Sequence, residues 1–380
     1  MKQHLDKIDT IETFFSLLRA GLWEKRIPVF PSGDVDWKGI YQLAEEQSVT
    51  GLLAAGLEQG DKNEAEGSVP KAEARPFLMR VLTLEDTNAR MNHFIGKLFE
   101  KLRDNGISAV LVKGSGVAQC YARPLWRAVG DVDLLLDATN FEKAKAFLPG
   151  FASQVGKEGS PVKQYVMTIG LWKVELHGTL RGGVSKRMDR VIDEVQDDTC
   201  TKGQVRIWEN GGTEVPLPAP DNDIIFIFTH FLKHFLRIGI GLRQICDWCR
   251  LLWTYRDVID RALLERRIRA MGVRSEWKAF AAFAVEDLGM PVDAMPFYDP
   301  APRWKRKARR IRTFILRVGN FGNNRDASYY ETRPFLVRKT ISLGRRLADF
   351  ATHVCIFPLD SLCYLFRVLM KGFGAALKGE

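Results

Sequence analysis

Apolar residues recur at helical spacing through the first hundred residues of the chain. One stripe consists of Phe14, Phe15, Leu17, Leu18, Leu22 and Trp23, and a second of Trp37, Ile40, Tyr41, Leu43 and Ala44. Because positions three and four residues apart share one face of a helix, this region is predicted to be helical. A polar, Gly- and Glu-rich stretch at residues 60–72 is expected to be a surface loop, and a long helix is expected from Pro76 to about Asp104.

After Asp104 the pattern changes to short apolar runs. Strands are predicted at residues 107–112, 132–136, 163–169, 171–176, 204–208 and 213–217, with a helix at 141–148. Gly170 and the turn Asn210-Gly211-Gly212 would each close a hairpin. From Asp221 onward the helical period returns. We therefore predict an α+β fold, in which a small mixed sheet is embedded between N-terminal and C-terminal helical regions.

Four regions follow from this pattern. They are a helical region 1–90, an α/β core 91–218, a helical region 219–300 that would complete a cleft, and a C-terminal helical module 301–380. With 380 residues and 46% hydrophobic content, the chain is long enough to bury a sizeable core. Six scattered cysteines, no apolar leader and no run of about 18 apolar residues are together typical of a cytoplasmic protein.

The positive charge of the chain is concentrated near its C-terminus. Residues 301–350 contain 14 Lys and Arg against 3 Asp and Glu, so they account for the overall charge of +10. This module could contact an anionic membrane, a nucleic acid or a nucleotide, or it could be a solvated charged face. Of these contacts, peripheral membrane binding is favoured, because Phe357, Phe366, Leu369 and Phe373 could continue an apolar surface. Those four residues could equally belong to a helical core.

The stretch from Gly130 to Leu136 carries two carboxylates followed by an apolar run. If it is a strand, Asp131 and Asp133 point to the same face, because side chains alternate along a strand. Paired carboxylates repel each other unless a cation lies between them, and oxygen ligands of this kind suit Mg²⁺ or Mn²⁺. In phosphoryl and nucleotidyl transfer, such ions stabilise the attacking and leaving oxygens.

The same four residues, Gly-Asp-Val-Asp, also occur at positions 33–36. There a helical pattern follows, so Asp34 or Asp36 is predicted to be a helix N-cap and to take no part in the site. The context that follows each pair separates the two occurrences.

Two further stretches could complete a site around Asp131 and Asp133. Lys113-Gly114-Ser115 ends one predicted strand in a glycine turn, which could hold phosphates or be an ordinary strand-to-helix connection. Glu175 and His177 share one face of another strand. Glu175 could be a third metal ligand, a general base, or part of a solvated strand face.

These residues together resemble the uncharacterised bacterial nucleotidyltransferase family, within the polymerase-beta-like nucleotidyltransferase superfamily. The resemblance covers roughly residues 10–370 and is carried by Lys113-Gly114, Arg127-x-x-Gly130-Asp131-x-Asp133, Glu175-x-His177, His230-Phe231-Leu232-Lys233-His234, Gly241-Leu242-Arg243, Asp247 and Gly319-Asn320-Phe321-Gly322. It implies that residues 91–218 form the nucleotidyltransferase core. It also implies Asp131 and Asp133 as metal ligands, Glu175 as the third acid, and Gly114-Ser115 at the superfamily's phosphate-binding Gly-Ser.

His230 and His234, one helical turn apart, precede Cys246 and Cys249, a combination that could bind zinc. The two cysteines lie on an apolar stripe, however, which is typical of buried thiols. His230, His234, Arg243 and Asp247 are therefore expected either to line the substrate cleft or to form a buried polar network.

The predicted function is metal-dependent transfer of a nucleoside monophosphate from a nucleoside triphosphate to a hydroxyl or phosphate acceptor. Asp131, Asp133 and Glu175 would be catalytic and would hold the metal. The nucleotide would contact Lys113, Gly114, Ser115, Arg127, His177, His230, His234, Arg243 and Asp247. The alternatives are a non-catalytic nucleotide-binding regulator with a basic membrane- or partner-binding C-terminus, and nucleotide addition to RNA, which is permitted but not favoured.

Overall fold

The computed structural model describes residues 2–25, 35–60, 69–156, 163–320, 334–358 and 361–362. Its helices are α1 (Lys2–Trp23), α2 (Trp37–Glu46), α3 (Thr50–Glu58), α4 (Lys71–Asp104), α5 (Gly114–Ala118), α6 (Ala138–Phe147), α7 (Lys186–Cys200), α8 (Pro220–Arg237), α9 (Leu242–Thr254), α10 (Arg261–Met271), α11 (Arg274–Glu286), α12 (Pro302–Val318) and α13 (Phe335–Ile356). Its strands are β1 (Val110–Val112), β2 (Asp131–Leu135), β3 (Ala152–Val155), β4 (Gln164–Ile169), β5 (Trp172–His177), β6 (Val205–Asn210) and β7 (Thr213–Pro218).

The five-stranded sheet has the strand order β1-β2-β5-β4-β3. Strands β2 and β5 run parallel, with Asp133 opposite Glu175, while the other neighbouring pairs are antiparallel. Strands β6 and β7 form a separate hairpin. The sheet is therefore mixed and flanked by helices, which confirms the predicted α+β fold class.

The two faces of the sheet have opposite character. On one face Val132, Leu134, Val174 and Leu176 are fully buried in a cluster with apolar residues of α4 and α6. Because side chains alternate along a strand, the polar residues between them point to the other face. This second face carries the candidate site and is covered by α8 and α9.

Helices α8, α9 and α11 form the centre of the helical body. Phe228, Trp248 and Trp277 pack there with ring centroids 4.8–5.6 Å apart, and all three side chains are completely buried. The sheet thus rests on a rigid apolar support, which fixes the side of α8 and α9 that faces Asp133.

Several element boundaries differ from the predicted ones. Helix α4 begins at Lys71, five residues before Pro76, and runs without a break across the predicted boundary at residue 90. Strand β3 was not among the predicted strands. It lies at the edge of the sheet with three of its four residues exposed, and its sequence therefore has no apolar alternation. The four-region division itself stays a prediction.

The first Gly-Asp-Val-Asp stretch has the structural role expected of it. Asp36 is the N-cap of α2, and its Oδ1 accepts a hydrogen bond of 2.9 Å from the backbone N–H of Gly39. Asp34 and Gly33 lie outside the described residues, as does most of the predicted loop, residues 61–68.

The basic helix α12 packs against the helical body through one apolar face. The buried residues of this face are Trp304, Ala308, Ile311, Phe314, Ile315 and Val318. Phe357, expected as a possible surface residue, is also buried. Phe366, Leu369 and Phe373 lie outside the described residues. None of the described helices has both the length and the apolar character needed to cross a bilayer.

Candidate active site

A cavity of about 510 Å³ lies between the polar face of the sheet and helices α8 and α9. The predicted site residues that line it are Lys113, Gly114, Arg127, Asp131, Asp133, Glu175, His177, His230, His234, Arg243 and Asp247. Residues far apart in the sequence are therefore brought together here. A volume of this size is typical of small-molecule sites.

The parallel pairing of β2 and β5 sets the spacing of the acidic groups. Asp133 lies directly beside Glu175, and Asp131 lies beside Lys173. Potential ligand atoms of Asp133, Glu175 and His177 all lie within 4.8 Å of one another. Within the part of the chain that the structure describes, this is the one such group. Asp131 lies two residues before Asp133 and is not part of it, so His177 occupies the position in the group that was expected for Asp131.

Asp133 and Glu175 are each held by cationic or polar neighbours. Oδ1 of Asp133 accepts a hydrogen bond of 3.0 Å from Lys113 and lies 2.6 Å from Nε2 of His177. Burial by itself raises the pKa of Asp133, but these two neighbours outweigh it and hold the pKa well below its usual range. Glu175 accepts hydrogen bonds from Gln164, at 2.5 Å, and from Lys173.

Asp131 is in a different electrostatic state. Burial raises its pKa, and the negative charges of Asp133 and Glu175 raise it further. A divalent cation between these carboxylates would relieve that repulsion, and carboxylate oxygens are the ligands that Mg²⁺ and Mn²⁺ prefer. The residues present therefore fit such an ion.

Lys113 reaches Asp133 from an unusual backbone conformation. Its φ of 61° and ψ of −145° lie in a region that L-residues rarely adopt, directly before α5. The next residue, Gly114, also has a positive φ, and a Cβ atom there would lie 3.4 Å from the backbone oxygen of Asp131. Strain of this kind is concentrated at functional sites, because the surrounding structure must stabilise it.

Helix α8 forms the opposite wall of the cavity. Burial lowers the pKa of His230 well below its usual value, and burial together with Lys233 lowers that of His234 to about 3. Burial, Lys113 and Arg237 lower the pKa of Lys233 to about 8. Both histidines are therefore neutral near pH 7, and the cations on the described part of this wall are Lys233 and Arg237.

Arg127 and Asp247 form a buried ion pair. Nε and Nη2 of Arg127 donate to the two carboxylate oxygens of Asp247 at 3.0 and 2.5 Å, and the Tyr121 hydroxyl donates to the same carboxylate at 2.8 Å. The Arg127 guanidinium is thereby occupied. Its expected contact with the nucleotide does not fit this geometry, and the ion pair instead links the segment before β2 to α9.

Ser115 is likewise not brought to the cavity. Only 3% of its surface is exposed, and its hydroxyl contacts the sulfur of Met91 at 3.9 Å, on the side of the α4 core. The expected contact between this hydroxyl and a phosphate therefore has no support in the structure. Ser115 follows Gly114 into α5, which turns its side chain inward.

The chain has relatives among known protein families and solved structures. The family described as "Uncharacterised nucleotidyltransferase" matches residues 33–289, more than half of the chain. The chain belongs to this family. It is also similar to a solved structure, an antigenic nucleotidyltransferase-like protein from Paracoccidioides brasiliensis. The identity is 14%, the match covers 53% of this chain and 93% of the other, and the TM-score is 0.31. No curated protein matches the chain.

Membership confirms the resemblance to an uncharacterised nucleotidyltransferase family, while the bacterial origin and the superfamily stay predictions. The family match includes every one of the predicted site residues, from Lys113 to Asp247. Cys246 and Cys249 are fully buried, and neither belongs to the one metal-binding group found among the described residues. Burial also raises the pKa of both thiols. The alternative of a zinc site at these cysteines therefore has no support.

Three residues near the acidic group of this nucleotidyltransferase family member were not predicted as site residues. Gln164 and Lys173 bind Glu175, and Lys233 faces the acidic group from α8. For Lys173 a signal existed, since it shares a strand face with Glu175. For Lys233 the signal was its position between the two histidines, one residue before His234.

Proposed function

We propose that this protein transfers a nucleoside monophosphate from a nucleoside triphosphate to a hydroxyl or phosphate acceptor, with Mg²⁺ or Mn²⁺. The observation that carries the proposal is the row of carboxylates on the shared face of β2 and β5, opposite the cationic wall of α8. This arrangement pairs a cation site with an anion site across one cavity. Family membership supports the reaction class.

Asp133 and Glu175 would hold the metal ion, with Asp131 or His177 completing its ligands. Such an ion neutralises phosphate charge and stabilises the attacking and leaving oxygens. In the reaction, the acceptor oxygen forms a bond to the α-phosphorus, the bond from that phosphorus to the bridging oxygen breaks, and pyrophosphate leaves. Glu175, held in place by Gln164 and Lys173, would either complete the metal site or accept the proton of the acceptor hydroxyl.

The phosphates would be bound by the cations around the acidic group. Lys113 already lies 3.0 Å from Asp133, within reach of a phosphate bound beside this carboxylate. Lys233 and Arg237 line the same cavity from α8. Placing fixed charges around a triphosphate in a half-buried site is an effective way to stabilise the charge that develops during transfer.

Lys233 makes this proposal sensitive to pH. Its pKa of about 8 means that the ammonium is charged below that pH and neutral above it. We expect triphosphate affinity to fall by roughly tenfold between about pH 7 and about pH 9, as one charge-assisted contact is lost. The measurement is calorimetric titration across this range. Lys233→Arg stays charged and should bind equally at both ends. A fall of the same size in Lys233→Arg would contradict the assignment.

The proposed function itself is tested with a panel of the four ribonucleoside and four deoxyribonucleoside triphosphates. Binding is measured by calorimetry with and without Mg²⁺, and release of pyrophosphate is measured in a coupled assay. We expect one or a few nucleotides to bind only when the metal is present. Binding without turnover, over a wide range of acceptors, would favour the non-catalytic regulator. Absence of binding to any nucleotide would rule out both functions.

A further inference from the structure

Arg243 is a partly buried arginine whose hydrogen-bonding capacity is only partly used. It lies in the first turn of α9 and lines the cavity, and its Nη1 donates to the backbone oxygen of Ala128 at 2.7 Å. Its Nε is buried and has no hydrogen-bond partner among the described residues. Nor does any described carboxylate lie within ion-pair distance of it.

The neighbouring Arg127 shows how a guanidinium in this region is ordinarily satisfied. Arg127 binds both oxygens of Asp247, so this carboxylate is fully engaged. Burial, and then the charge of Arg127, lower the pKa of Arg243 to about 10. A buried N–H group without a hydrogen-bond partner is costly, and native structures rarely retain one unless a ligand, water or ion completes it. The missing partner of Arg243 is therefore expected to be an anion that enters the cavity.

Arg243 and Lys233 line different parts of the cavity wall. Its contact with Ala128 holds it beside the segment that leads into β2. Lys233 packs instead against Gly182, in the segment that follows β5. Arg243 interacts electrostatically with Asp247 and Asp131, whereas Lys233 interacts with Asp133 and Glu175. The two cations therefore approach the carboxylates from different parts of the cavity wall.

We propose that Arg243 binds an anionic group of the acceptor, a phosphate or a carboxylate, while the donor triphosphate is bound by Lys113 and Lys233. The assignment rests on the proposed function. A planar guanidinium with free N–H groups matches the two oxygens of either anion. The acceptor is accordingly a phosphorylated or carboxylated molecule whose attacking oxygen lies over Asp133 and whose anionic group lies towards Asp131.

The anionic group that Arg243 binds could also come from the donor triphosphate. The following test distinguishes an acceptor anion from a triphosphate anion. Protein saturated with Mg²⁺ and a non-hydrolysable analogue of the nucleotide selected by the panel is titrated with inorganic phosphate and, separately, with acetate. We expect one of these probes to bind. In Arg243→Gln its affinity should fall by about tenfold or more, as one charge-assisted contact is lost. Affinity for the analogue should change by less than about twofold. Lys233→Gln, the matched control, should show the reverse pattern.

Two outcomes would overturn the assignment. One is that neither probe binds the nucleotide-loaded protein, and the other is that Arg243→Gln weakens the nucleotide analogue by tenfold or more. Arg243→Lys, which keeps the charge but not the planar group, should retain part of the probe affinity. Thermal unfolding is measured for each variant to check that it is folded. If no nucleotide binds, the proposed function fails. Titration of the free protein with the same probes still tests Arg243. Equal probe affinity in wild type and Arg243→Gln would then exclude an anion site at this residue.

Discussion

Replacing Asp133 with asparagine is expected to abolish Mg²⁺-dependent nucleotide binding and turnover. Asp133 is buried, keeps its negative charge because of Lys113 and His177, and lies at the centre of the acidic group. The amide keeps the shape of the side chain but removes the charge that would attract the cation. We expect turnover to fall by roughly 100-fold or more, the size of effect seen when one electrostatic contact to a reacting group is lost. Calorimetry with and without Mg²⁺ measures the binding component.

The chain contains a matched control for this substitution. Asp36→Asn changes the same residue in the same Gly-Asp-Val-Asp sequence, but at the N-cap of α2. It should leave nucleotide binding unchanged and alter the free energy of unfolding by at most about 1 kcal/mol, because asparagine also caps helices well. Equal nucleotide affinity in Asp133→Asn and wild type, with and without metal, would show that the acidic group does not bind the metal–nucleotide complex. The non-catalytic regulator would then be the better hypothesis.

The acidic face of the sheet could be predicted because it depends on local rules. Alternation along a strand puts Asp131 and Asp133 on one face of β2. It likewise puts Glu175 and His177 together on one face of β5, the neighbouring strand. The apolar run after Asp133 distinguishes this pair from Asp36, where a helix follows. In both cases the residues that follow the pair decide its structure, and these are visible in the sequence.

Contacts between distant segments could not be predicted in the same way. Arg127 was expected to contact the nucleotide because it belongs to the motif that carries the family resemblance. Its actual partner is Asp247, 120 residues later. Which of two arginines receives the one available carboxylate depends on how α9 docks on the segment before β2, and no local pattern specifies that packing. Ser115 is similar, because the direction of its hydroxyl depends on the rotation of the short helix α5 relative to α4.

Helix α7 was missed for a different reason. Met188, Val191, Ile192 and Val195 are buried at helical spacing, so the periodic signal was present in the sequence. It lies between two predicted hairpins, in a region where strands were expected. The strong alternation on both sides of α7 favours strands across the whole region, although the helical pattern within it is regular.

Removing residues 301–380 is expected to unfold the protein. Six apolar residues of α12 are buried against the helical body, including Trp304, Ile311 and Phe314. At about 1.5–3 kcal/mol for each large apolar side chain, their burial contributes on the order of 10 kcal/mol. This is comparable with the whole free energy of unfolding of a typical domain, about 5–15 kcal/mol. Thermal unfolding should therefore lose its cooperative transition, whereas a chain that ends at residue 320 and keeps α12 should retain one.

Substitutions of the basic residues of α12 distinguish this structural role from the membrane contact predicted for residues 301–380. Arg312 pairs with Glu12 at 2.6 Å and with Asp287 at 3.2 Å, so Arg312→Ala should lower thermal stability. Arg306 and Arg309 are exposed and form no ion pair within the described ranges, so replacing both with glutamine should change stability by at most about 1 kcal/mol. If the module binds membranes, the same double variant should lose sedimentation with anionic vesicles at low salt. Intact protein that fails to sediment with such vesicles, together with a destabilised Arg312→Ala, would end the membrane hypothesis and leave α12 as a structural clamp.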